Sequence, residues 1–359
     1  MLLDVDIEWL FYLEDLMTYK EIFTFQNLYL AHKKARKSKR HKKDVILFEI
    51  DLSNNLYELY KQLNGYTYQI SGYHKFLIFE PKEREIQALE YKDRVVQHCL
   101  CDNYLMPLLE RRLIFDNGAC RKGKGTDFSR NRIKGFLRDY FKHHGHTGYY
   151  LKCDIKKYFN SISHSHLKNI LNKEISQKDI KELLFSIIDS YEYKPGYGIP
   201  MGNQTSQCFA LLYLDKIDRV IKEKFQIKYY SRYMDDLILI YPSKDYLIEV
   251  LKYLDDNLRE SFELEFNNKT KIGRIENGIT YLGARFYLTS TKKVIMKIDN
   301  NKRTNLITKI NKKNRNKKNI GSYLGYLKKF NEYKMVRNLF NLKKSISGKF
   351  SRNSINNLL

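Results

Sequence analysis

Residues 229–241 read YYSRYMDDLILIY. Two apolar strand-like runs flank a tight turn at Met234 and Asp235, the pattern of a β-hairpin. Adjacent carboxylates at a hairpin tip beside a core, here Asp235 and Asp236, are costly unless a cation neutralises them. Neighbouring strand residues face opposite sides, so one acid projects into a cleft while the other supports it or reaches a second ion. A third carboxylate is expected from GYYLKCDI at 148–155, whose strand runs to Asp154 and which a sheet would bring against the hairpin. Such a trio suits in-line phosphoryl transfer with two Mg²⁺ ions, one activating an attacking 3′-hydroxyl and one neutralising the triphosphate and leaving pyrophosphate. Mg²⁺ takes hard oxygen ligands and keeps several waters, so a few carboxylates plus substrate phosphates suffice.

Working outward, 359 residues of 43% hydrophobic composition exceed one compact unit, and a formal charge of +24 attracts polyanions, nucleic acid above all. The N-terminal MLLDVDIEWLFYLEDLM is interrupted by acids and does not read as a secretory signal, and no apolar run approaches the roughly 18 residues of a membrane span. Five cysteines without paired metal-ligand spacing argue for reduced thiols in a cytoplasmic protein, with neither disulfides nor zinc expected. Residues 1–31 read as helical, and HKKARKSKRHKK at 32–43 is too charged to be core. VILFEI at 45–50 and HKFLIF at 74–79 read as strands, and 85–115, 127–143 and 164–190 as helical. Beyond Gly283 the chain turns rich in Lys and Asn with few acids. The expected division is a helical and basic extension at 1–43, a catalytic domain at 44–290, and a basic helical lobe at 291–359.

Seven segments follow in order: FEPKEREIQALEYKDRVVQHCL at 79–100, ACRKGKGT at 119–126, YYLKCDIKKYFNSI at 149–162, GIPMGNQTSQCFALLYLD at 198–215, YSRYMDDLILI at 230–240, NNKTKIG at 267–273 and YLGARF at 281–286. Together they resemble reverse transcriptases, most closely those of diversity-generating retroelements, from about Asn27 to about Phe340. The resemblance implies an α+β right hand with fingers, a palm of antiparallel sheet plus helices, and a helical thumb. It implies RNA-directed DNA synthesis with Mg²⁺, or Mn²⁺ as a substitute, with metal positions at Asp154, Ile155, Asp235 and Asp236.

Other roles follow from the same likeness, position by position. Lys82 and Arg84 resemble a cationic clamp over the incoming triphosphate, with Arg121 in the glycine-rich loop offering a second such surface. Phe159 stands where the family blocks a 2′-hydroxyl, which implies deoxynucleotide selection. Met201, Gly202 and Gln207 lie where a loop enters a helix beside the nucleotide. Group II intron and retroviral relatives usually carry Gln-Gly and end this segment Ser-Pro; Met201 before the glycine and Ser206-Gln207 match the diversity-generating branch, where the apolar residue and the arginine equivalent to Arg84 accompany loose base selection at template adenine. Lys269 resembles a general acid at the leaving pyrophosphate. Tyr233 and Met234 are expected at the primer and template, and Tyr281, Leu282 and Gly283 resemble the primer grip.

Cys153 before the aspartate and Leu211 in place of the usual asparagine depart from the family. The 76 residues after Gly283 (359 minus 283) suffice for a thumb and not for an added endonuclease. The implied partners are an RNA template, the RNA–DNA hybrid, deoxynucleoside triphosphates, and a small basic accessory protein or a noncoding RNA, with no membrane. Two rivals stand beside the retroelement reading: a phage-defence reverse transcriptase, and a nucleic-acid-binding protein with a silent palm.

Overall fold

The computed structural model describes residues 16–79, 84–312 and 317–340. Its N-terminal part is helical: α1 (Tyr19–Ile22), α2 (Phe25–Ala35), α3 (Lys43–Ile50) and α4 (Leu52–Asn64). Helix α2 carries the start of the basic run, and contrary to expectation that run reaches the core. His32 is fully buried, its ring bonded to the Tyr91 hydroxyl at 3.0 Å. The strand expected at 45–50 is α3 instead. Val45 and Phe48, three residues apart, form one helical stripe, with Phe48 against the rings of His32 and Tyr91. A six-residue run with five apolar side chains fits either period, and the inward stripe decides for helix.

The hairpin of β1 (Tyr73–Ile78) and β2 (Arg84–Leu89) follows, so the helix expected from 85 starts only at α5 (Tyr91–Leu100). A π-turn at Cys101–Leu105 joins α5 to α6 (Met106–Arg112), and α7 (Thr126–His144) covers the expected helix at 127–143.

The central sheet explains where the acids meet. Strand β3 (Tyr149–Asp154) is followed by α8 (Tyr158–Ser161), α9 (His164–Glu174), α10 (Lys178–Asp189), α11 (Gln204–Tyr213) and α12 (Asp215–Arg219). Then come β4 (Tyr229–Tyr233), β5 (Asp236–Tyr241), the long α13 (Lys244–Phe262) and β6 (Lys271–Arg274). The strands lie antiparallel in the order β4-β5-β3-β6, a split βαβ arrangement. Both faces are covered, which is why β5 is apolar from Leu237 to Ile240. Leu151, Cys153, Leu237 and Leu239 face the larger core with α11 and α13, while Tyr150, Ile238 and Ile240 face a second core with α7 and the C-terminal lobe. Each buried Leu or Ile contributes about 1.5–3 kcal/mol. The period of two then carries Asp154 and Asp236 onto the second face, at the open end.

The C-terminal lobe is not wholly helical. Strands β7 (Ile279–Tyr281), β8 (Ala284–Leu288) and β9 (Val294–Ile298) form a sheet, and α14 (Asn300–Lys312), α15 (Lys317–Leu327) and α16 (Tyr333–Phe340) follow. The boundary expected at 290/291 falls between two paired strands, β8 and β9. The whole is an α+β right hand: helical fingers with a hairpin, an antiparallel palm, and a helical thumb on its own small sheet. Among the described residues no helix is long and apolar enough to cross a membrane.

Candidate active site

Asp154 and Asp236 are direct partners in the β3–β5 ladder, and Asp235 sits in the two-residue turn between β4 and β5. Like charges opposite one another in a sheet are unfavourable. Burial, then the charges of Asp236 and Asp154, push Asp235 up to about 6, and burial raises Asp236 despite Lys152 nearby. The Lys152 ammonium lies 3.6 Å from Asp236. Asp154 accepts a hydrogen bond from the Asn267 side-chain amide, and its backbone N–H donates to Thr270 at 3.3 Å. The cleft thus holds three acids against one close cation. Such a hard-oxygen donor set suits a divalent ion of the Mg²⁺ type. Among the described residues no three His, Cys, Asp or Glu side chains gather closely enough to hold an ion alone, so water and substrate oxygens would have to complete its shell.

The expected neighbours distribute unevenly. Lys269 is exposed yet near enough to Asp236 for its charge to act there, and its backbone N–H is fixed by Asn267 at 2.7 Å. Phe159 lies half-buried in α8 just past Asp154, and its carbonyl accepts from Ile199 at 2.9 Å, which sets it beside the loop to α11. On that loop Gly202 has φ +109° with open space around it. Met201, Gly202 and Gln207 line a cavity of about 910 Å³, together with the cationic Lys34, Lys39, Lys42, Arg94 and Lys122. Tyr233 is half-buried, and Met234 holds the turn with φ +56°. Leu282 (φ +48°) and Gly283 (φ +71°) form the two-residue turn between β7 and β8, in which both residues need positive φ.

Two expectations are displaced. Arg121 is not a nucleotide-facing cation: it is buried, forked onto Glu110 at 2.9–3.0 Å through Nε, and bonded to the carbonyls of Ile114 and Asn117. Lys122, its neighbour, faces the cavity instead. Tyr281 is fully buried in the second core, so only Leu282 and Gly283 of that segment are open to a strand. Ile155 is 2% exposed and bridges to Phe266; its hydrocarbon side chain carries no donor atom, so the metal position expected there falls to its backbone carbonyl. Arg84 opens β2 opposite Ile78, and Lys82 lies outside the described residues.

With this geometry in place, the chain matches the family described as reverse transcriptase (RNA-dependent DNA polymerase) over residues 80–286, more than half of its length. The chain belongs to the reverse transcriptase family. A stretch of 88 residues is 28% identical to the COX1/OXI3 intron 2 protein of Saccharomyces cerevisiae, covering 23% of this chain and 10% of that protein. Among solved structures it is similar to apo telomerase from Candida tropicalis truncated from the C-terminal domain (18% identity, TM-score 0.48, 64% of this chain and 55% of that one). It is also similar to telomerase from Candida albicans in complex with a TWJ fragment of telomeric RNA (13%, TM-score 0.47, 69% and 50%). The chain spans about half the length of these telomerase chains and a tenth of the yeast protein.

Beneath the acidic turn of this family member lies a pair that sequence reasoning passed over. Arg232 and Asp218 are both wholly buried and bonded at 2.7–2.9 Å through Nε and Nη2. Arg232 also donates to the carbonyls of Met234 at 3.2 Å and Leu211 at 3.0 Å, tying the turn to α11. The available signal was an arginine in the middle of an apolar strand, which a core tolerates only when paired. His164 plays a similar part for the loop: its Nε2 lies 2.7 Å from the Gly198 carbonyl.

Proposed function

We propose that this chain copies RNA into DNA, with Asp154, Asp235 and Asp236 as the carboxylates that hold two divalent ions, Mg²⁺ or Mn²⁺. The observation that carries the proposal is the pairing of Asp154 with Asp236 across β3 and β5, with Asp235 on the adjoining turn, in a chain of the reverse transcriptase family. The ions, when bound, would activate the primer 3′-hydroxyl and offset charge on the triphosphate. The chain's own residues do the rest. The Asn267 amide and Thr270 hold Asp154 in place, and Arg232 holds the turn. Phe159 would exclude a 2′-hydroxyl. Lys269 would donate a proton to the leaving pyrophosphate. Leu282 and Gly283 would support the primer strand, while Met201, Gly202 and Gln207 would border the nucleotide and template.

The test is primer extension on an RNA template, comparing wild type with Asp235→Ala plus Asp236→Ala. Loss of incorporation by at least about 10³-fold is expected, whereas equal incorporation removes the carboxylates from the mechanism. No incorporation by either protein, even with the native RNA and accessory protein supplied, would favour a silent nucleic-acid-binding role. For biology we propose a diversity-generating retroelement. Met201 and Gln207, two of the residues behind this reading, border one cavity, to which Ile86 and Gln87 of β2 also contribute. Met201→Gln should lower misincorporation opposite template adenine, and flanking DNA should carry a template repeat beside a near-identical variable repeat. Unchanged misincorporation and no repeats would point to the defence role.

A further inference from the structure

One guanidinium joins three parts of the molecule that are far apart in sequence. Arg130, on α7, has a side chain only 5% exposed. Its Nε and Nη2 both donate to the Leu282 carbonyl, at 3.1 and 2.6 Å. Its Nη1 donates to Asp127 Oδ1 at 3.2 Å, and the other oxygen of Asp127 takes the Lys329 ammonium. The plane lies over Phe330 at 5.3 Å and Tyr326 at 6.0 Å from the ring centroids. Lys329 and Phe330 belong to the link between α15 and α16, so the contacts reach the turn on one side and the helical lobe on the other.

The Leu282 carbonyl lies in the turn, outside the β7–β8 ladder, and its residue carries φ +48°. A turn with two left-handed residues, one of them a leucine, needs an outside partner to hold one position. Arg130 supplies it as a rigid fork, which lysine cannot reproduce. Asp127 and Lys329 are about half exposed, so the second arm of the network is loose enough to give.

We propose that Arg130 is a positioning residue: it sets the Leu282–Gly283 turn, and so the primer strand, relative to the three aspartates, and couples that turn to the helical lobe. This rests on the assignment of the turn to the primer. Arg130 touches no substrate; its effect passes through a backbone carbonyl. A displacement of about 1 Å remote from the reacting atoms can cost about 10²-fold in rate.

The experiment uses the full chain with an RNA template annealed to a DNA primer. In Arg130→Gln the single-turnover incorporation rate should fall about 10- to 100-fold while the half-saturating nucleotide concentration moves less than about threefold. The primer–template should dissociate faster, and Arg130→Lys should recover only part of either loss. Wild-type rates in a folded Arg130→Gln protein overturn the proposal. Should Arg130→Gln fail to fold, the partly exposed pair serves instead: Asp127→Asn with Lys329→Gln should speed dissociation several-fold, and unchanged dissociation overturns the coupling. The primer assignment is checked separately. With Cys120→Ser removing the exposed thiol, Leu282→Cys should exchange into a mixed disulfide tethered to the primer backbone, releasing the activating thiol, at one phosphate position only, and adding Arg130→Gln should spread that register. An unspread register overturns this inference alone, whereas no cross-link to any primer position overturns the primer assignment beneath it.

Discussion

Asp235 bears the largest electrostatic strain of the cleft, and its titration can be followed through metal binding. Its ordinary value near 3.8 is raised to about 6 by burial first and by Asp236 and Asp154 after it. The folded chain therefore holds this proton more tightly than the unfolded chain does. Without metal, stability from this site is highest below about pH 4 and is lost as pH rises through about 6, by a few kcal/mol in all. A bound divalent ion must displace the same proton, so Mg²⁺ or Mn²⁺ affinity should be flat above pH 7 and weaken about tenfold per unit below 6. Calorimetric titration at pH 7.5, 6.5 and 5.5 would show this, and affinity that stays level to pH 5.5 would take Asp235 out of the ligand set. The buried pair below it answers a different question. Removing one partner leaves an uncompensated charge, so Arg232→Met should cost about 3–5 kcal/mol and lower the melting temperature by roughly 6–20 °C. Adding Asp218→Leu should restore much of the stability but little primer extension, because the Met234 carbonyl stays unheld; full recovery of both would deny the turn its support. At this scale charge beside an apolar strand marked the acids as an anomaly, and the ordered segments around them, through their likeness to a known family, made their role legible. Arg121 and Arg232 were not: an arginine's surroundings are set by residues such as Glu110 and Asp218, whose proximity only folding creates.

Among the elements, the β7–β8 turn shows how a sequence signal becomes a mechanical part. Gly283 has φ +71°, and a Cβ there would overlap the side chain of Lys302 on α14. Gly283→Ala should cost about 1–2 kcal/mol from the left-handed backbone alone, with the overlap added to it. Trimming the neighbour with Lys302→Ser should relieve only the second part. Melting curves of the two single variants and the double variant would measure this as a coupling of opposite sign to the losses; strictly additive losses would mean that the lysine simply swings away. Elements were legible where one period dominated. The hairpin at 229–241 and β3 alternate between two buried faces, and α7 keeps helical spacing over nineteen residues. The stretch at 45–50 was not, because a six-residue run with five apolar side chains carries no clear period, and the contacts of Phe48 with His32 and Tyr91 select a helix. Strand β9 was hidden for a related reason: a short run set among lysines and asparagines shows its pairing only beside β8.

Across the whole molecule the excess of cations has a direction. Among the described residues, Lys34, Lys39, Lys42, Arg94 and Lys122 gather around the cavity bordered by Met201 and Gln207, with Asp44, Asp102 and Glu110 to offset them. Lys34 is held by Asp102 at 2.9 Å and Arg94 by Asp44 at 3.4 Å, so part of this charge is already spent within the protein. Lys39, Lys42 and Lys122 make no ion pair with another described residue, which leaves them available to a phosphate chain. A net charge of +24 predicts binding to an RNA–DNA hybrid that loses about 10³-fold or more between 50 and 200 mM salt. The cavity should account for a distinct share of that dependence, belonging to unpaired template rather than to the hybrid. Replacing Lys34, Lys39 and Lys42 by Gln removes at most three phosphate contacts. At roughly 0.7 per contact on a single strand, the slope of log affinity against log salt should then become shallower by up to about 2. The change should be seen with a primer–template carrying a long 5′ RNA overhang and be small with a blunt hybrid. Fluorescence anisotropy over a salt series with the two ligands separates the cases. Equal losses on both would place these lysines in the general field of the protein, and a loss confined to the overhang would place the path of the template through this cavity, between α2 and the loop that carries Met201.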